Sequence, residues 1–126
     1  MELNEKIFDL KLKGYCCSQI ITALGLAQME KENDDLIAAM GAFCVGLEEG
    51  KLCGTLAAAA ALLFVADARA AGAELRAELM DWFYDRFGGY DCDDILQGNE
   101  MNKIAVCPGM ITETYEKLCE LLAWEQ

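Results

Sequence analysis

From Leu52 to Ala66 the chain runs fifteen residues without a charge, and five of them are the consecutive alanines Ala57–Ala61. A pleated sheet is filled by β-branched and aromatic side chains, so such a run makes a poor strand. Alanine is the strongest helix former, and the segment reads as a helix that begins close to Cys53 and ends near Arg69. It has no polar face, so neighbouring helices have to enclose it. Fifteen residues, many of them only weakly apolar, fall short of the roughly 17–25 that a membrane span requires.

The rest of the chain reads as helix too, with no strand alternation. A first helix is predicted over Leu3–Lys13, with Ile7, Leu10 and Phe8 turned inward and Gly14 as its stop. A second starts near Cys17 or Ser18 and sets Ile20, Ile21, Leu24 and Ala27 on one face. Asp34 is the expected N-cap of a third, in which Leu36, Met40, Phe43 and Leu47 recur at helix spacing. Gly46, Glu48, Glu49 and Gly50 mark a loop. A fifth helix spans Glu74–Phe87, with Leu75, Leu79, Trp82, Phe83 and Phe87 as its stripe, and ends at Gly88. A short turn covers Asp93–Leu96 and a polar loop covers Gln97–Lys103. The last helix starts after Cys107-Pro108 and turns Ile111, Tyr115, Leu118 and Leu122 inward. The expected fold is all-α: one domain, residues 1–126, a compact bundle of five or six helices around the alanine-rich one.

The charge balance narrows the function. Twenty-two acids against ten bases leave a net charge of -12, a poor match to a phosphate backbone or an anionic membrane surface. No nucleic-acid or membrane partner is therefore expected. There is no histidine, which removes the usual neutral-pH base and every His-ligated metal site. The N-terminal MELNEKIFDLKL has no apolar signal core, so a cytoplasmic location is expected. Other motifs point nowhere: Asp91–Asp94 lacks the spread of ligands and central glycine of a calcium loop, and Gly46, Gly50 and Gly54 lack a phosphate loop's lysine and strand. No spacing supports a catalytic carboxylate pair.

What remains is sulfur chemistry. In a reducing cytosol, seven cysteines are expected as catalytic, metal-binding or core residues rather than permanent disulfides, and the odd count opposes a fully paired framework. Cys44 and Cys119 read as packing residues within helices. Cys16 stays ambiguous because it abuts Cys17. Cys17, Cys53, Cys92 and Cys107 each fall at or near an expected helix start, where unpaired N–H groups and the helix dipole favour a thiolate. Thiolates are both nucleophiles and soft-metal ligands. The intervals of 36, 39 and 15 residues match no zinc ribbon or ferredoxin pattern, so a dithiol, a cluster, zinc and simple packing all stay open.

Gly14-Tyr15-Cys16-Cys17-Ser18-Gln19, then Cys53-Gly54-Thr55-Leu56-Ala57-Ala58, then Phe87-Gly88 through Cys92 with Ile95-Leu96, and finally Cys107 resemble the family named for its C, GCAxxG, C, C pattern. The resemblance runs from about residue 14 to residue 123. Carried over residue by residue, the family's cysteines fall on Cys17, Cys53, Cys92 and Cys107, with Gly54 following the second. Two positions depart from the pattern: Ala58 stands for a glycine, and Thr55 for a smaller residue. The resemblance implies redox activity or cofactor binding, with the four cysteines as catalytic thiols or metal ligands and Gly54 at the cofactor site. Three function classes follow: a thiol–disulfide or iron–sulfur redox protein, a zinc-binding helical protein, and a small helical interaction protein whose cysteines only pack. No cofactor is needed in the disulfide case. A redox partner protein is the expected partner, and a homodimer is compatible with the chain.

Overall fold

The computed structural model describes residues 2–44, 51–96 and 102–124. Among these the chain is helical: α1 (Leu3–Leu12), α2 (Cys17–Gln28), α3 (Asp34–Met40), α4 (Gly54–Ala70), α5 (Arg76–Phe87), α6 (Cys92–Ile95) and α7 (Asn102–Leu122). A 3₁₀ turn over Gly41–Phe43 follows α3, and a π-turn over Ala71–Leu75 joins α4 to α5. The Gly46–Gly50 loop and Leu47 lie outside the described residues.

The alanine-rich helix α4 packs on α2 and α7, and Leu56, Ala58, Ala59, Leu62 and Leu63 are buried. Small residues let the backbones close in. A Cβ on Gly25 of α2 would stand 2.6 Å from Leu62 Cδ1, so glycine there lets α2 and α4 approach. The enclosure is not complete: Phe64 is 41% exposed, so the second half of α4 has an outer face that the sequence reading did not expect. A second, smaller core of Ile7, Ile20, Leu24 and Ile111 seats α1 on α2 and α7.

Several boundaries differ from the sequence reading. α4 and α5 are not separated by a loop but run on from Gly54 to Phe87 through the π-turn. The break falls instead at Asp67, which leaves helical geometry (φ -160°, ψ 88°) while its Oδ1 accepts the Ala70 N–H. That is the geometry of an N-cap restarting a helix. By length and composition alone the whole run is long enough to cross a membrane, longer than the fifteen-residue apolar stretch suggested, and 33% of its most apolar window is buried inside the fold. The N-cap of α3 is Asn33, whose side chain accepts the Leu36 N–H, not Asp34. Phe8 is 60% exposed, because α1 buries only Ile7, and Ala27 is exposed near the end of α2, although that helix buries seven of its twelve residues. The last helix begins at Asn102, so Asn102 and Lys103 are helical and Pro108 sits inside it. Proline there removes one helical hydrogen bond. Burial of Met110, Ile111 and Leu118 below it holds the helix together.

Candidate cysteine site

Two short segments that are not helical bring the first two thiols together. Leu52 and Asp91 form an isolated antiparallel bridge, flanked by Cys53 N–H donating to Tyr90 O (2.7 Å) and Cys92 N–H donating to Lys51 O (2.8 Å). Cys53 and Cys92 are thereby diagonal neighbours across the bridge, and such neighbours lie on the same face. Both are buried, and both line one small cavity. From this bridge Cys53 leads into α4 as its N-cap and Cys92 opens α6.

Cys17 is brought in by the start of α2. The Cys16 N–H donates to Gln19 Oε1 (3.2 Å), Ser18 Oγ donates to Met40 O (2.7 Å), and Gln19 Nε2 donates to Ile37 O (3.3 Å). The first closes the start of α2 on itself, and the other two tie it to α3. Gly54 completes the junction: a Cβ there would stand 2.6 Å from Phe43 O and 3.0 Å from Ser18 Cβ. Its close approach is to protein backbone, which lets α4 begin against α2.

Cys107 arrives from α7. Cys17, Cys53, Cys92 and Cys107 then line a single cavity of about 20 Å³, closed by Ile95, Leu96 and Met110. All four stand as thiols, Cys53 and Cys92 buried and Cys17 and Cys107 half-buried. The structure thus gathers the four residues singled out in the sequence, although not all for the expected reason. Cys107 lies in the second turn of α7 rather than at its start, because the helix begins before Pro108. α6 has only four residues, too few aligned peptides for a sizeable dipole at Cys92.

At Cys53 the expected thiolate is overturned. Its hydrogen bond with Cys92 and its burial push the thiol far above its ordinary range, and the nearby Leu56 amide pulls the other way without prevailing. Cys53 is held as a protonated thiol at neutral pH.

The remaining cysteines divide. Cys44 is not a packing residue within a helix: it follows the 3₁₀ turn and forms a disulfide with Cys16, their Cα atoms 5.8 Å apart. This also corrects the expectation that no permanent disulfide forms. The sequence carried no signal for it, since the two are 28 residues apart and only the fold of α2 against α3 brings them together. Cys119 is buried in the core as expected, and burial raises its thiol pKa.

The fit of a metal can be judged from the cavity. A volume of about 20 Å³ is on the scale of one water, too small for a four-iron cluster. A zinc ion needs sulfurs converging at about 2.3 Å. Among the described residues no group of three or more His, Cys, Asp or Glu side chains is arranged to hold a metal ion. As placed, the thiols fit neither group.

Beside this cavity lies a wider groove of about 460 Å³, and Cys17 and Cys107 line both. A family model described as "Putative redox-active protein (C_GCAxxG_C_C)" matches residues 15–121. No curated protein matches the chain, and no solved structure does.

Proposed function

Because this chain belongs to the C_GCAxxG_C_C family, we propose that it is a thiol–disulfide redox protein whose working couple is Cys53–Cys92. The observation that carries the reading is the placement of these two buried cysteines as diagonal neighbours on one face of the bridge, both lining the same small cavity. Oxidation removes two electrons and two protons from the pair and forms one S–S bond.

The electrons go to a disulfide of a partner protein or small molecule, and Cys17 is the entry point. Only a thiolate attacks, and protonated, buried Cys53 is poorly suited to the first step. Cys17 is half-buried and faces both the cavity and the groove. Its thiolate attacks the partner disulfide, forming a mixed disulfide and releasing one partner thiolate. A second cavity thiol gives up its proton and attacks the Cys17 sulfur, which releases the other partner thiolate. Exchange within the cavity moves the new bond to Cys53–Cys92 and restores Cys17. The two protons lost by the protein end on the two partner thiols, so the partner is reduced by two electrons.

Iron–sulfur and zinc readings require the four sulfurs to open around a larger or more regular space. The test covers them as well. Protein prepared without oxygen is poised at a series of potentials, alkylated and mapped by mass, with metal analysis of the same preparation. Paired loss of alkylation at Cys53 and Cys92, with a two-electron slope and no stoichiometric metal, supports the proposal. Thiols that alkylate equally at every potential overturn it, as does iron or zinc at one site per chain.

A further inference from the structure

The groove next to the thiol cavity has the size and chemistry of a small-molecule site. Its volume of about 460 Å³ lies within the range of about 300–1,000 Å³ typical of such pockets. Its walls are mostly hydrocarbon: Ile7 and Phe8 of α1, Ile20 of α2, and Pro108 and Ile111 of α7. Its sulfur-bearing end carries Cys17 and Cys107, the same two thiols that open into the inner cavity, and Cys16 of the Cys16–Cys44 disulfide.

The charge is unusual for this chain. The protein carries -12 overall, yet no Asp or Glu lines the groove among the described residues, and the charged side chain on its wall is Lys11. Glu5 and Asp9 stand past Phe8, lining a different depression. An anion repelled by most of the surface meets a cation here, next to an apolar wall.

We propose that this groove is the substrate pocket of the redox site, and that its substrate class is a small apolar disulfide bearing a carboxylate. The inference rests on the thiol–disulfide reading above. The apolar body lies against Ile7, Phe8 and Ile111, the carboxylate faces Lys11, and the disulfide reaches Cys17. Cys17 displaces one half of the ligand as a thiolate and holds the other as a mixed disulfide. A second cavity thiol then displaces that half. The ligand leaves as two thiols carrying the two protons, and the protein keeps one new S–S bond.

Three disulfides probe this: a nitrobenzoate aryl disulfide (apolar, anionic), a dipyridyl disulfide (apolar, neutral) and cystamine (cationic). Thiol release is followed against probe concentration with the protein as purified, and mass spectrometry locates the first adduct. The nitrobenzoate probe is expected to react fastest relative to its rate with a free small thiol, with saturation and with the first adduct on Cys17. Lys11→Glu should lower its rate about threefold to tenfold more than that of the dipyridyl probe, as expected when an attractive rim charge becomes repulsive. Phe8→Glu, at an exposed position, should act in the same direction.

Equal relative rates for the three probes, a linear rate without saturation, or a first adduct away from the groove would overturn the proposal. So would a concentration-dependent dimer that blocks the reaction, since the groove would then be covered by a second copy. The Cys53–Cys92 couple measured at poised potentials is read separately. If that couple is present and the probe pattern fails, the substrate assignment alone falls. If the couple is absent, the redox reading falls whichever probe reacts fastest.

Discussion

At the scale of single residues, the site depends on which of two opposing effects controls Cys53. The helix start offers it an amide, which favours the thiolate, while Cys92 and burial favour the thiol and prevail. This has a consequence for stability. A thiol whose pKa is raised in the folded state keeps its proton there, while the unfolded chain releases it from its ordinary value of 9.0 upward. The unfolded state then binds fewer protons, so stability falls as pH rises. Cys119 and Tyr115, the latter pushed up to about 12 chiefly by burial, add to the same trend. The stabilisation is complete below about pH 9 and is lost above it. Unfolding midpoints measured from pH 8 to pH 11 should decline, and Cys53→Ala should show a shallower decline than the parent; an equal slope would show that Cys53 is not buried as a thiol. Glycine positions give a paired test. Gly54→Ala presses a methyl on the Phe43 carbonyl and should cost about 1–3 kcal/mol in urea unfolding. Gly72→Ala meets nothing within 4 Å and should be neutral or gain about 0.5–1 kcal/mol.

At the scale of elements, much of the architecture was legible in the sequence, because helix periodicity and the alanine run are local signals. Residues Leu79, Phe83, Ile111 and Leu118 are buried where the spacing placed them. Ends were less legible. Pro108 looked like a helix start, since proline favours the first turn, but tertiary burial of Met110 and Ile111 carries the helix through it. The helix expected to run unbroken to Arg69 is interrupted at Asp67, and only the backbone there and the Ala70 N–H on its side chain show it acting as a cap. Ala58, fully buried between helices, tests the packing: Ala58→Leu should destabilise by about 1–3 kcal/mol through overpacking, read as a lowered urea midpoint. The Cys16–Cys44 link ties the start of α2 to the turn after α3. Cys44→Ser should lower unfolding free energy by about 2–4 kcal/mol, and adding reductant to the parent should reproduce most of that loss.

At the scale of the whole molecule, the four thiols come from four separated stretches of chain and meet at one cavity because α2, α4 and α7 converge beside the Leu52–Asp91 bridge. The sequence pointed to these four through helix starts and through the resemblance. It could not show which of them adjoin, because Cys53 and Cys92 are set side by side by a two-residue bridge and α4 meets α2 through the close approach at Gly54, neither of which has a periodic signature. The groove was equally illegible, since α1, α2 and α7 each contribute only one or two of its apolar residues. The central claim is that Cys53 and Cys92 are the couple that closes on oxidation. It is tested most directly by oxidising the anaerobic protein with one equivalent of a small disulfide and mapping its peptides by mass without reduction. A peptide linked through Cys53–Cys92 is expected, alongside the intact Cys16–Cys44 link. A new link that excludes Cys53 or Cys92, or no new link while the oxidant is consumed, would contradict it.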